Sequence, residues 1–273
     1  MPSVARRLGF IVGLTVIGAL AFVRIVTRNR DWRDDATYYT VTLAAVPEAE
    51  SLRMNLGAVY WNRMQPDAAE REWQRALAVA PDSAPLLNNL GLVAASRNRN
   101  DEAIAYFQRA MRIRPNSTDA HLNLGRLYES LGRTADAELQ LRAAAALAPL
   151  SLGTRNELGA FYLRAGRLPD AEAQFRASIA SIANAAAFDG LAEIATREGK
   201  TGVAGQDYRR AVGLDPLDAR GHFGLAGILA SEGRMAEAAD QYRAGLETDP
   251  RNPQALVALR RLTANSSPAR PKR

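Results

Sequence analysis

Residues 55–91 read NLGAVYWNRMQPDAAEREWQRALAVAPDSAPLLNNLG, with the tripeptide Asn-Leu-Gly at both ends, 34 residues apart. The beat continues outward. Leu56-Gly57, Leu90-Gly91, Leu124-Gly125, Leu158-Gly159, Leu191-Ala192 and Leu225-Ala226 follow one another at intervals of 34, 34, 34, 33 and 34 residues. Thirteen residues after each leucine stands an alanine: Ala69, Ala103, Ala137, Ala171, Ala204 and Ala238. Four further on comes a bulky side chain: Trp73, Phe107, Leu141, Phe175, Tyr208 and Tyr242. Five units then close with a proline, at Pro81, Pro115, Pro149, Pro216 and Pro250. A fixed period of this length is the mark of stacked supersecondary units.

The spacing predicts two helices per unit. Glycine or alanine on the first helix lets the bulky residue of the second approach, and the small residue of the second accepts the first in return. Such a hairpin cannot bury its apolar face alone, so it stacks on its neighbours. Gly132, Gly166, Gly199 and Gly233 mark the break between paired helices, where a left-handed cap costs glycine little. Each proline stops a second helix.

These positions, with Tyr60, Tyr128 and Tyr162 four places after three of the leucines, resemble the tetratricopeptide repeat family. The resemblance implies an all-α, right-handed superhelical solenoid of helical hairpins. Its six units are expected at 50–83, 84–117, 118–151, 152–184, 185–218 and 219–252. One joint is irregular: the fourth interval is a residue short, and Ala183 stands where other units have proline, both within SIASIANAAAFDG, residues 178–190. A local change in superhelical pitch is expected there. Beyond Pro253, QALVALRRLTAN sets Leu256, Leu259 and Leu262 on one face, which suits a capping helix over 253–264, followed by a basic, Pro-containing tail over 265–273 expected to be disordered.

Composition excludes several chemistries. No cysteine is present, which removes disulfides, thiolate metal sites and cysteine nucleophiles. His121 and His222 are the only histidines and lie three repeats apart, so no catalytic or metal site and no cofactor is expected. Each stands three residues before its unit's leucine, a place for packing. The net charge of +6 invites a nucleic-acid reading, yet residues 36–264 hold 26 basic and 26 acidic groups and the excess sits at the two ends. A neutral body argues against a phosphate-binding groove, so no nucleic-acid partner is expected.

Residues 8–23, LGFIVGLTVIGALAFV, carry no charge and follow Arg6-Arg7. Sixteen helical residues reach about 24 Å of the ~30 Å hydrocarbon core, and a snorkelling Arg24 extends the run through Ile25 and Val26. A single transmembrane signal-anchor helix is expected over 8–26, after a short tail over 1–7. The competing reading is an export signal cleaved near Ala21. Counting 34 residues back from Pro81 and Trp73 lands on Pro47 and Tyr39, so 27–49 is read as a juxtamembrane linker and half unit. There Arg28, Arg30 and Arg33 meet head groups, Trp32 sits at the interface and the aspartates open a helix. An apolar helix, then NRDWRDDATYY at 29–39, then tandem repeats resembles the C-terminal portion of the membrane O-mannosyltransferase-like family that carries such repeats. That resemblance implies repeats on the extracytoplasmic, periplasmic side, which the arginine count does not decide.

Asn55, Asn89 and Asn123 precede the leucine of each Asn-Leu-Gly, so stacking sets them in a row. The resemblance to repeat proteins with this signature, such as the asparagine ladder of the O-linked N-acetylglucosamine transferases, implies a concave groove that bonds an extended peptide. An amide both donates and accepts, which suits a backbone ligand. Consensus packing is the other role open to these asparagines. Asn88, Arg126, Asn156, Glu157, Glu193 and Arg197 are expected to share the groove, while Gly190 and Gly224 replace the asparagine later in the row. REGKTGVAG, residues 197–205, holds a Gly-Lys-Thr, but Ile194 lies where a phosphate loop needs glycine and helices flank it. The expectation is a non-enzymatic scaffold, anchored to a membrane, holding partner proteins or peptide segments. An accessory subunit of a membrane glycosyltransferase system, or a structural subunit of a membrane complex, is the alternative.

Overall fold

The computed structural model describes residues 35–265 of the chain. The expected anchor over 8–26, the linker residues before Asp35 and the tail from 266 lie outside them. Among the described residues there are fourteen α-helices and no strand, and no helix is long and apolar enough to cross a membrane. The chain falls into two compact units, one ending at Asn123 and one beginning at Leu124.

The first unit holds α1 (Asp35–Ala45), α2 (Glu50–Asn62), α3 (Pro66–Val79), α4 (Ala84–Ser96), α5 (Asn100–Ile113) and the start of α6 (Thr118–Ser130). The second holds the rest of α6 with α7 (Thr134–Leu147), α8 (Leu152–Arg164), α9 (Leu168–Ser181), α10 (Ala185–Arg197), α11 (Thr201–Leu214), α12 (Ala219–Ser231), α13 (Met235–Thr248) and α14 (Pro253–Asn265). In five of the six hairpins, all but the one ending in α11, the second helix opens with an acidic residue in its first turn. Pro66 sits at the start of α3, where no intrahelical donor is lost, and Asp101 and Glu102 set negative charge against the α5 dipole.

All six hairpin turns are built alike. In the first, Gln65 N–H bonds the Tyr60 carbonyl at 2.9 Å and Met64 N–H bonds that of Trp61 at 3.0 Å; in the last, Arg234 and Gly233 make the same two bonds to Leu229 and Ala230. This pattern satisfies orphan carbonyls and needs one residue in the left-handed region. Gly132, Gly166, Gly199 and Gly233 supply it at φ of 72° to 78°. In the first two hairpins Met64 and Asn98 take that conformation instead, both at φ 58°.

The core follows the repeat. All six periodic alanines, Ala69 through Ala238, are fully buried. The bulky residue above each reaches over to the partner helix: a Cβ built at Gly57, Gly91, Gly125 or Gly159 would lie 2.3 to 2.8 Å from Trp73, Phe107, Leu141 or Phe175 respectively. Hydrogen at these positions is what lets the helices close, and each buried large side chain then contributes about 1.5–3 kcal/mol. In the last unit the relationship inverts, with Phe223 of α12 filling the space over Gly245 of α13 and stacking on Tyr242. Ahead of the first hairpin, α1 buries Ala36 and Leu43 against Leu56, with Tyr39 and Tyr60 alongside.

The shortened joint loses its residue from the loop. Both α9 and α10 keep the lengths of their counterparts, and only Ile182, Ala183 and Asn184 separate them, where Ala148 to Ser151 separate α7 from α8. Ile182 ends α9 in an extended conformation, and Asn184 caps α10 by accepting Ala187 N–H at 3.0 Å.

Candidate functional site

The first helices of the hairpins carry the residues read as a groove. In the first unit the Nδ2 group of Asn123 donates to Asn88 Oδ1 at 3.0 Å, joining α6 to α4. Asn89, the neighbour of Asn88, is half-buried, and Asn55 is exposed on α2. Stacking therefore links adjacent repeat positions, 88 with 123, rather than the same position in successive units.

On the other side of the first unit, Glu70 of α3 is buried and accepts from Arg97 Nη1 at 2.8 Å and Arg99 Nη2 at 2.7 Å, while Arg97 also meets Asp67. The hydrogen bond to Glu70, first, holds the Arg99 guanidinium above its ordinary range, against the cost of burial. Glu72 takes Arg53 and Arg75 in the same way, and Arg53 reaches on to the Pro47 carbonyl. Both carboxylates are matched within the fold, while Arg99 Nε is buried without an acceptor, and the network is structural.

In the second unit a cavity of about 280 Å³ opens between successive first helices. Asn156 and Glu157 of α8 form one wall, Gly190 of α10 the other, and Arg126 and Arg220 stand at its two ends. The ring of Phe175, itself buried, makes the floor; glycine at 190 admits it, because a Cβ there would come within 2.3 Å of the ring. Arg126 Nε bonds Glu157 at 2.8 Å, and Glu193 takes Arg197 at 2.6 Å with Arg220 at 3.6 Å. Arg197 also donates to the Leu163 carbonyl at 2.8 Å. Nearby, the hydrogen bonds that Arg164 donates to Glu129 hold its guanidinium above its usual range. A broader depression along α7, lined by Glu138, Leu139 and Arg142, draws on that helix alone and has no facing wall.

Asn156 has a fixed orientation. Asn184 must present Oδ1 to cap α10, and its own amide group donates to Ser178 Oγ and the Ile182 carbonyl. Asn156 therefore turns Nδ2 toward Asn184 Oδ1, at 2.9 Å, and its Oδ1 is left buried without a donor. Arg126 and Asn156, both expected in the groove, thus share one cavity, with Glu157. Arg220 has no mark in the sequence: it opens α12, and its place at the cavity emerges only when α12 stacks beside α10.

The remaining candidates resolve as packing. His222 is buried between Gln241 Oε1 at 2.7 Å and the Pro216 carbonyl at 3.1 Å, and His121 Nε2 lies 3.3 Å from the Pro115 carbonyl. Gly199, at φ 74°, is a turn residue between α10 and α11, and Lys200 pairs with Glu198. Among the described residues no group of three or more acidic or histidine side chains converges on a metal position.

Tetratricopeptide repeat family models match residues 48–116, 94–151, 151–186 and 190–253, together most of the chain. The chain belongs to the tetratricopeptide repeat family. No curated protein sequence matches it. Among solved structures it is similar to a chain of the APC/C hetero-tetramer Cut9–Hcn1, at 19% identity and a TM-score of 0.68, covering 82% of this chain and 45% of that one. It is similar also to a tetratricopeptide repeat protein from Parabacteroides merdae, at 16% identity and 0.67, over 84% of this chain and 91% of the other. PilW, described as a widely conserved type IV pilus biogenesis factor, matches at 25% identity and 0.63, over 77% of this chain and 96% of its own. The chain thus spans less than half of the Cut9–Hcn1 chain. These likenesses show the shared repeat fold.

Proposed function

We propose that this protein is a non-catalytic scaffold that holds an extended segment of a partner protein along the first-helix face of its repeats. The observation that carries the reading is the cavity at Asn156. It combines an aromatic floor, an amide oxygen without a donor, and guanidinium and carboxylate groups at its rim. A backbone N–H of a bound strand supplies the missing donor, and side chains of that strand meet the charged rim. Asn88 and Asn123 offer a second amide pair of the same kind in the first unit.

The uncharged run at 8–23 supports attachment to a membrane at the N-terminus, and the resemblance to the O-mannosyltransferase-like family favours repeats on the extracytoplasmic side. Of that resemblance only the repeats fall within the described residues. An alkaline wash of membranes holding the full chain tests the anchor: the chain stays with the membrane and loses it when residues 8–23 are deleted.

The binding reading is tested by capture from detergent extract with the full chain, beside an Asn55→Ala, Asn89→Ala, Asn123→Ala variant and an Arg126→Ala, Asn156→Ala variant. Loss of the same partner in either variant, with melting unchanged, supports the groove. Identical capture by all three proteins would remove it.

A further inference from the structure

Under Gly221 two carboxyl groups meet. A Cβ built at that glycine would lie 2.7 Å from Asp218 Oδ2 and 3.2 Å from Asp189 Oδ1, with Val212 of α11 closing the third side at 3.1 Å. These two oxygens are buried and have no hydrogen-bond donor. The other oxygen of Asp218 is committed, since Oδ1 caps α12 by accepting Arg220 N–H at 3.1 Å. Asp189 itself is only 3% exposed. Two ionised carboxylates in such a place would repel, and two acceptors cannot satisfy each other. One proton removes both difficulties, because the O–H of one acid donates to the carboxylate of the other.

We propose that Asp189 and Asp218 hold one proton between them as an acid–carboxylate pair, and that losing it loosens the packing of α12 on α10. Burial, first, and then the hydrogen bond and charge of Asp218 push Asp189 up from 3.8 to about 8. Arg220 of α12 opposes this rise and Glu193, one turn along α10, adds to it. Tyr208 of α11 faces the same carboxyl, and its phenol is held above its ordinary range, chiefly by burial. Glu157 of α8 stands across the cavity whose wall Gly190 and Arg220 complete. The pair is therefore tied to that wall through Gly190, next to Asp189, and through Arg220, whose N–H Asp218 caps.

The pH dependence has a defined direction. Well below pH 4, folded and unfolded chains both carry the proton and the pair costs nothing. As pH rises toward 8 the unfolded chain has released it and the folded chain has not, so stability falls across that window. Above it both states are ionised, and the cost stays constant. An amide at position 189 donates permanently to Asp218 and mimics the protonated acid.

Two measurements on the full chain test this. Carboxyl-carbon NMR of aspartate-labelled protein should show one buried carboxyl titrating near pH 8, shifted to lower pH by at least one unit in Asp218→Asn. Thermal melting should fall between pH 5 and pH 8 for the wild type and stay level over that range for Asp189→Asn. If every aspartate of the wild type titrates below about pH 5, as ordinary exposed carboxyls do, the pair does not exist. Parallel melting profiles for wild type and Asp189→Asn would overturn it equally. Should either variant fail to fold, the wild-type titration decides.

Discussion

The Trp73 indole N–H donates to the Met54 carbonyl at 2.9 Å, passing directly over Gly57. The bond holds the ring against α2, so it cannot retreat from a new side chain. A Cβ at position 57 would lie 2.3 Å from Nε1. Alanine is the better helix former by about 1 kcal/mol, yet overpacking costs about 1–3 kcal/mol, and here the second effect wins. Gly57→Ala should destabilise by about 1–2 kcal/mol in denaturant titration. Gly227→Ala, where nothing lies within 4 Å of the added carbon, should be neutral or stabilising by up to about 1 kcal/mol. Equal effects at the two sites would contradict this account of the repeat.

Met64 makes a left-handed turn that glycine makes in the last four hairpins. A residue with a Cβ is strained there by about 1–2 kcal/mol, while glycine costs about 0.5–1 kcal/mol in chain entropy. Met64 is also highly exposed, so little packing is lost on removing it. Met64→Gly should stabilise the chain by about 0.5–1 kcal/mol, and Asn98→Gly by less, because asparagine tolerates this region. A lowered melting temperature for Met64→Gly would show that its side chain does something the turn geometry does not reveal.

How far the chain can be read unaided follows from the same residues. The period, the alanines and the glycines beneath bulky side chains express contacts inside one hairpin and between neighbours, and these recur at fixed spacing, so they are legible. The turn at Met64 is not, because methionine carries no mark of a left-handed conformation and the Schellman pattern lies in the backbone. The groove is legible only coarsely. Asn88 and Asn89 are neighbours, and spacing cannot say which of them rotates toward Asn123. Arg220 at the cavity and the carboxyl of Asp189 acquire their meaning from stacking, which a one-dimensional pattern does not contain.

Glu70 lies on α3 with about a tenth of its surface exposed, and receives two guanidinium groups. Hydrogen bonds to charged partners contribute about 1.5–3 kcal/mol, and removing the carboxylate leaves Arg97 and Arg99 facing a partly buried gap. Glu70→Ala should cost about 2–3 kcal/mol and Glu70→Gln about half of that, since the amide still accepts. The loss should persist in high salt, because a sheltered pair is weakly screened. A cost below about 0.5 kcal/mol, or one abolished by salt, would place this cluster among ordinary surface pairs.

Beyond Glu157 the row position is glycine, and aromatic rings press on it. At Gly190 a Cβ would meet the Phe175 ring at 2.3 Å, and at Gly224 it would meet the Tyr208 ring at the same distance. Phe175 is also pressed from the other side by Gly159, at 2.8 Å from the corresponding carbon, so it is confined between two backbones and has nowhere to move. Restoring the repeat signature by Gly190→Asn should therefore destabilise the second unit by about 2–3 kcal/mol, the cost of forcing a large ring off its rotamer, and should close the cavity beside Asn156. Combining it with Phe175→Leu should recover part of the loss, because the smaller side chain yields the space, and the two changes should be non-additive by at least about 1 kcal/mol. Melting of the two single variants and the double variant measures this coupling; additive losses would mean that the ring and the glycine do not constrain each other.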